Sequence, residues 1–567
     1  MNVRPRVALA VASLCAVASL CAAEGCSAPG YSPQQASAGD GQPPAYDVNP
    51  QPRDRVRVGG TLRWPLPEFP AQFNFHHVNG GKGTVALVLQ GILPFLMRAD
   101  DKAVPHPVPE YLESAHVTET KPHQVVTYRI NPHAHWSDGR PIGYADFAAQ
   151  ANALSGRDPR FQVAAVTGYR EITKVRRGAD DREVKVAFAR PYADWRSLFS
   201  PLYPASTSGD PHAFNDGWVN RVPVTAGPFR VRRIDGTAKS VELVRDPGWW
   251  GPPAKLDGIV FRAMDPGAMP GAFANGEVDL MDVGTDPAAL RRAAEVRGAR
   301  IRRAGGPDWR HLTFNAASPV LADVRVRRAL FMAVDREVIV RSDLAGLGRP
   351  PRPLGNHFYV NTQAGYQDDS GMLGHYHPGR AGRLLDEAGW PHRGTYRMKD
   401  GRPLALRFVV PSGVAASRRE GELTRALLAR VGVRVDIVPV PTDDLFDQYV
   451  TPGNFDIVPF SWLGTAFPLS PLRSVFARPQ GDHIQQNYAR AGSPEIDTAM
   501  DRAIAEVDTA RARKLINKAD KLVWQEATVL PLYQRPQVVA VRAGLANLGA
   551  CGFWEPAFEN IGFSARN

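Results

Sequence analysis

NFDIVPFSWLGTAFPLS, residues Asn454 to Ser470, is the stretch on which the reading of this chain turns. Asp456 to Phe460 is a short apolar run behind Pro452-Gly453-Asn454, the pattern of a buried strand. It runs into Ser461-Trp462-Leu463-Gly464-Thr465, and Pro468 forbids a regular continuation. A strand ending in an aromatic and a glycine presents exposed backbone beside a flat apolar wall. In open α/β sheets, ligands lie at such strand ends. The plainer alternative is a core strand with an ordinary turn, and local pattern alone favours it.

Working outward, strand and helix patterns alternate. Upstream stand a helix at Ala381 to Glu387 ending at Gly389, a strand at Leu404 to Val410, a helix at Arg418 to Arg430 and a strand at Val433 to Val438. Downstream, helices at Ser493 to Val507 and Thr509 to Gln525 precede a strand at Val529 to Tyr533. A new unit opens near Asp308: His311 to Asn315 reads as a strand, and Asp323 as the N-cap of a helix carrying Val326, Leu330, Ala333 and Val334. Earlier, a first strand at Gly59 to Trp64 and a helix over Gly83 to Met97 flank the loop FNFHHVNGGK, Phe73 to Lys82. Strands follow at Val125 to Ile130, Val184 to Phe188 and Ile259 to Arg262, with a helix at Tyr144 to Ser155 and a hairpin spanning Gly227 to Val244. Such alternation implies α/β layers with substantial parallel pairing. Gly80-Gly81-Lys82-Gly83-Thr84 lacks the spacing of a phosphate loop.

At 567 residues the chain exceeds one ordinary domain. Its net charge of +11 invites a nucleic-acid reading. The arginines, however, are interspersed with acids, as in Val324 to Glu337, and no basic tail or stripe stands out; a solvated mixed-charge surface is expected. Arg4 and Arg6 precede an apolar segment, Val7 to Ala23, that suits a signal sequence better than a permanent span. Two processing outcomes are open. Cys21-Ala22-Ala23 offers a small-residue cleavage site, and Ala23-Glu24-Gly25-Cys26 a lipobox in which Cys26 would be acylated. Ser27 to Arg55 is rich in Pro, Gly, Gln and Ser and reads as a disordered tether. Cys15 and Cys21 fall within the signal, so no disulfide framework is expected.

The ordered phrases GGTLR, WSDGRPIGYADF (Trp136 to Phe147), AGPFRV (Ala226 to Val231), LVRDPGWWG (Leu243 to Gly251), GEVDL and DVRVRRALFMAVDRE (Asp323 to Glu337) resemble bacterial extracellular solute-binding proteins of the oligopeptide, dipeptide and nickel type, family 5. QVVTYRINP and GTAFPLS look closest to actinobacterial, mycobacterial-type oligopeptide-binding lipoproteins. The resemblance implies an α/β, two-lobed, periplasmic-binding-protein-like clam-shell of class II, with an extra domain inserted in the first lobe. It implies a signal peptide at 1–25, a tether at 26–57, lobe I at 58–95, 222–306 and 525–567, the inserted domain at 96–221 and lobe II at 307–524. It further implies capture of a peptide or peptide-like solute by strand-like pairing between the lobes, delivery to an ABC permease, attachment to the membrane surface through Cys26, and a monomer.

By the same resemblance three segments face the ligand. His76, Asn79, Gly80 and Gly81 come from the first loop; Trp309, His311 and Asn315 from the start of lobe II; Trp462, Leu463, Gly464, Thr465 and Phe467 from the opening stretch. In relatives that bind peptides by a free amino terminus, an aspartate shortly after the tryptophan pairs with the ammonium. Thr465 stands there in this chain and cannot offset a positive charge. Nearby Asp443, Asp444 and Asp482 are candidate substitutes.

An enzyme is disfavoured, since no G-x-S-x-G, H-E-x-x-H or C-x-x-C pattern occurs. No cofactor is expected. The histidine pairs His76-His77, His133/His135 and His375/His377 supply two ligands each, short of a metal site. Nickel or metallophore binding, another non-peptide solute such as a sugar or glycolipid, and a non-transporting envelope or sensing role are the rival readings.

Overall fold

The computed structural model describes residues 44–348, 352–442, 444–479, 481 and 484–564. Cys26, the signal segment, most of the tether, Asp443 and Asp482 lie outside them.

Three sheets position the site. β1 (Thr61–Leu66) belongs to the first and leads into α1 (Gly83–Leu89). That helix is shorter than the expected Gly83 to Met97, because Gly91 and Pro94 follow its last turn. The second sheet is wholly antiparallel: β2 (Leu112–Glu119), β3 (Val125–Ile130), β4 (Ile172–Arg177) and β5 (Glu183–Phe188), in the order β2-β3-β5-β4. Packed with it is α2 (Tyr144–Ala153). The phrase WSDGRPIGYADF finds its reason here. Buried Asp146 accepts from Trp136 Nε1 at 3.2 Å, Gly143 N at 3.0 Å and Ala205 N at 2.8 Å, tying turn, helix start and neighbouring loop together. The first sheet is completed by β6 (Phe229–Asp235), β7 (Ser240–Arg245) and β8 (Gly258–Ala263), in the order β1-β8-β7-β6.

The third sheet carries the site. Its strands are β9 (Leu280–Asp282), β10 (Ala299–Phe314), β11 (Ala405–Pro411), β12 (Arg434–Val440), β13 (Ile457–Trp462) and β14 (Val529–Arg542), in the order β9-β14-β10-β13-β11-β12. Helices α3 (Val324–Ala333), α4 (Arg336–Asp343), α5 (Pro378–Glu387), α6 (Ala415–Ala429), α7 (Pro494–Ala505) and α8 (Thr509–Glu526) surround it. Asp323 caps α3 as expected, accepting from Arg325 N at 2.8 Å. Among the described residues, parallel pairing is confined to β1–β8, β11–β12 and β11–β13, less than the alternation suggested.

Strands β10 and β14 are far longer than expected, 16 and 14 residues. They pair antiparallel from Ala299 opposite Arg542 to Thr313 opposite Val529. The register slips between Gly305 and Trp309, where Gly306, Pro307 and Asp308 leave the ladder. It slips again after Arg310, and Pro531 stands there opposite His311, a place where a missing N–H is tolerated.

The tether reading is corrected for residues 44–57. Asp47–Val48 pairs with Gly549–Ala550, Gly305 N donates to Pro44 O at 3.0 Å, and Ala45, Val48 and Val56 are buried. Composition pointed to disorder, yet these three small apolar side chains and a free sheet edge hold the segment against β10.

One core runs through the first two sheets, with Leu62, Tyr128, Trp136 and Phe261. A second lies beneath the third sheet, with Phe314, Leu330, Leu406 and Phe408; another covers its opposite face, with Trp309, Phe358, Met500 and Val523.

Candidate ligand-binding cleft

Strand alternation decides which side chains share a face. Trp309 pairs with Trp462 on one side and Gln534 on the other, and His311 pairs with Phe460. One face of the third sheet therefore gathers Trp309, His311, Phe460, Trp462 and Gln534. The ring of His311 sits edge-on to Phe460 at 4.3 Å between centroids and to Trp309 at 5.0 Å. Trp462 lies parallel to Tyr488, 5.9 Å away at an interplanar angle of 2°. Phe446 closes on Phe460 at 5.5 Å.

Among the described residues, both ring nitrogens of fully buried His311, Nε1 of Trp462 and Oε1 of Gln534, all on this face, have no hydrogen-bond partner, and neither have Nδ2 of Asn361 and Oδ1 of Asp308. A buried unpaired donor or acceptor costs about 1–3 kcal/mol, so such groups concentrate where something else is meant to meet them. Burial, with Arg310 and His357 adding, holds the His311 pKa well below its ordinary value. The neutral ring both donates and accepts. With the Trp462 donor and the Gln534 acceptor, the wall matches a ligand of alternating N–H and C=O groups. Burial raises the Asp308 pKa, Arg535 opposes it and Asp282 adds to it; Arg535 lies 3.4 Å from Oδ2.

The opening stretch then leads away from these rings. Leu463 is 71% exposed. Gly464 N donates to Pro307 O at 3.2 Å, and a Cβ on Gly464 would come within 2.2 Å of that oxygen, so the position requires glycine. Thr465 O accepts from Gln363 Nε2 at 2.9 Å, while its Oγ1 accepts from Phe467 N at 3.0 Å. Phe467 lines a cavity of about 310 Å³ between residues 102–107 and 193–196 on one side and Tyr359, Gln363 and the α7–α8 connection on the other. Across it the two sides touch through Ala193 N to Ile504 O, 2.7 Å, and Ala364 N to Lys102 O, 3.1 Å.

The remaining candidates are occupied elsewhere. Asn315 Nδ2 donates to Gly453 O and Phe455 O, each at 3.0 Å, and its Oδ1 accepts from Ala317 N, so the carboxamide braces the end of β10 against the turn before β13. His76 Nε2 stands 2.9 Å from Pro201 O, its ring edge-on to Tyr203 and Tyr169; burial holds its pKa down to about 4 against the opposing carbonyl. It fastens the first loop to the inserted sheet's connections. Asn79 and Gly81 are exposed. Buried Gly80 donates to His77 O at 2.8 Å, and a Cβ there would lie 1.9 Å from Asn74 O. Gly80→Ala is therefore expected to lower unfolding free energy by about 1–3 kcal/mol in a denaturant titration; an unchanged midpoint would show the loop to be adaptable. Asp444 is exposed at the start of the turn over residues 445–450. Phe460, Tyr488, Gln534, Asn361 and Asp308 were not anticipated. The unpaired atoms of Gln534, Asn361 and Asp308 and the ring contacts of Phe460 and Tyr488 exist only once segments distant in sequence are side by side.

Among the described residues no group of three or more His, Cys, Asp or Glu is placed to hold a metal ion, and no helix is long and apolar enough to cross a membrane.

Two lobes joined by paired strands, with an aromatic and polar wall beside the crossing, define an extracytoplasmic solute-binding protein. The chain belongs to the bacterial extracellular solute-binding proteins, family 5, whose model matches residues 106–483. It is 40% identical over 551 residues, 96% of this chain and 92% of the relative, to the oligopeptide-binding protein OppA of Mycobacterium tuberculosis. The periplasmic EDTA-binding protein EppA superposes with a TM-score of 0.82 at 26% identity, covering 92% of this chain and 98% of that one. The oligopeptide-binding protein AppA of Bacillus subtilis, solved with a nonapeptide, superposes with a TM-score of 0.70 at 17% identity over 90% and 100% of the chains.

Proposed function

We propose that this chain captures oligopeptides in the cleft beside Trp462 and delivers them to an ABC permease, acting as a binding protein and not as an enzyme. The observation that carries the reading is the set of unpartnered donors and acceptors on His311, Trp462 and Gln534, gathered on one face of the sheet beside aromatic rings. An extended peptide backbone supplies complementary groups at strand spacing, whereas side chains are left to roomier, wetter space. The 40% identity to an oligopeptide-binding protein supports the same ligand class. Ligand-facing roles are proposed for Trp309, His311, Trp462 and Phe467. The division into lobe I, inserted domain and lobe II at 96, 222, 307 and 525 is retained as the working one. The chain acts as a monomer held at the outer face of the membrane through acylated Cys26. Native mass spectrometry of the purified protein tests the ligand class: retained short peptides support it, and a retained sugar, lipid or metallophore refutes it.

Thr465 cannot offset the charge of a peptide ammonium, and its hydroxyl oxygen already accepts from Phe467 N. Asp308, with Oδ1 unpartnered beside Trp309, is the acid we assign to that charge. A charge-assisted bond there contributes roughly 1.5–3 kcal/mol. Asp308→Asn should weaken a free-amine peptide about tenfold or more and leave its N-acetylated form within about twofold, by calorimetry. Equal losses for both peptides would remove Asp308 from this role.

A further inference from the structure

A separate cavity of about 790 Å³ opens on lobe II, lined by α3, α5, α8 and residues 367–373 and by none of the cleft residues. A second, of about 310 Å³, adjoins it and shares Gln367 and Lys521. Together they are lined by eight cationic side chains and three carboxylates. No basic stripe is visible along the sequence; the fold makes one by bringing three helices together.

Lys514, Lys518 and Lys521 follow one another at spacings of four and three on α8 and so share a face. Like charges at this spacing destabilise a helix slightly, so the stripe is not there for the helix's own sake. Arg380 and Arg383 stand three apart on α5. Among the described residues, Arg380, Arg383, Lys514 and Lys518 have no carboxylate within ion-pair distance. Arg325 is held by Asp323, Arg328 donates to Gln525 O at 2.7 Å, and Lys521 lies 3.5 Å from Asp369.

The carboxylates do not cancel this field. Asp369 is turned inward, its side chain fully buried, its carboxyl pushed up to about 6 by burial and by neighbouring Asp520. Asp368 accepts from Ser370 N at 3.0 Å and Oγ at 2.6 Å. Glu387 is left facing Arg325. A concave wall with this excess of one sign concentrates counter-ions, and the guanidinium fork matches phosphate oxygens in pairs.

We propose that this double cavity binds a phosphate-bearing anion, carried either on a free molecule or on a lipid headgroup. The test uses the full-length mature chain, with Cys26→Ser so that no acyl chain contributes, against the same chain carrying Arg380→Gln, Arg383→Gln, Lys514→Gln and Lys518→Gln. Probes are inorganic pyrophosphate by calorimetry, and phosphatidylcholine vesicles with and without phosphatidylglycerol by co-sedimentation. At least one probe should bind, at least tenfold more weakly to the fourfold variant and more weakly as salt rises. Thermal unfolding and peptide binding should be unchanged. Pyrophosphate binding without vesicle recruitment assigns the free anion; recruitment to phosphatidylglycerol alone assigns the headgroup. The proposal is overturned if neither probe binds, if variant and parent bind alike, or if pure phosphatidylcholine recruits the chain equally.

Discussion

Replacing Arg310 by alanine is expected to destabilise the folded chain by about 3–5 kcal/mol at pH 7, because it strands a carboxylate in the interior. Arg310 projects from β10 on the face opposite His311. Its Nε and Nη2 donate to the two oxygens of Glu420 at 2.7 and 2.6 Å, and Nη2 also reaches Ser417 Oγ at 2.8 Å. The Glu420 side chain is fully buried and that of Arg310 12% exposed, so solvent offers no substitute partner. Burial works against the guanidinium charge, and Glu420 more than offsets it, holding the Arg310 pKa above its ordinary value. Asp343 is the third member. Burial, with Glu420 adding to it and Arg310 opposing, pushes its carboxyl up to about 8.

Once Arg310 is gone, Glu420 is a buried acid without a cation. A buried carboxylate without its cation is costly, and taking up a proton relieves that cost. A raised carboxyl pKa means that the folded chain binds more protons, so the variant is most stable below the unfolded pKa and loses stability as pH rises through the folded one. Urea unfolding at pH 7 and at pH 5 should therefore show a deficit that shrinks at the lower pH. A small, pH-independent deficit would mean that the pair is solvated. The pair anchors β10 to α6, so its loss would also disturb Trp309 and His311, for which ligand-facing roles are proposed.

Much of this architecture is legible in the sequence where burial is one-sided and local. Val125 to Ile130, the helix after Gly143, the Asp323 cap and the strand expected over Asp456 to Phe460, found at Ile457–Trp462, all follow from periodicity and punctuation. The crossing strands do not, because Gly305-Gly306-Pro307 and the prolines of Val529 to Arg542 carry the marks of breaks. Those marks are true of the ladder, which slips there, but the chain direction continues through them. At the candidate site, sequence names Trp462 and His311 through their neighbours in a recognisable order, and the fold sets them on one face. Sequence names Asn315 and His76 equally, but their side chains bond nearby backbone and rings. It is silent on Gln534 and Tyr488, which meet Trp309 and Trp462 only through tertiary pairing. A polar residue's type says what it can bond; whether that capacity is still free depends on contacts no local pattern encodes.

Trp462→Ala is expected to weaken peptide binding at least a hundredfold, about 3 kcal/mol, while costing little stability. The two effects separate because of where the ring sits. Trp462 is only half-buried, at the end of β13, one ring face against Tyr488 and one edge against Phe460. Its removal opens the cleft to water and does not excavate the core. Trp309, 3% exposed, is the contrast: its truncation leaves a core cavity and is expected to unfold the protein before it reports on ligand. Two further substitutions divide the loss. Trp462→Phe keeps an apolar wall and deletes the unpartnered Nε1, so its deficit measures that hydrogen bond, about 1–1.5 kcal/mol or roughly tenfold. Thr465→Asp places a carboxylate just beyond the wall, and a gain confined to free-amine peptides would fix the direction in which the peptide lies. If Trp462→Ala binds peptides as the parent does, the wall is a packing surface and the cleft must be sought along the Phe467 cavity instead. If the alanine variant fails and the phenylalanine variant is normal, the ring acts through its area and the orphaned nitrogen is met by water.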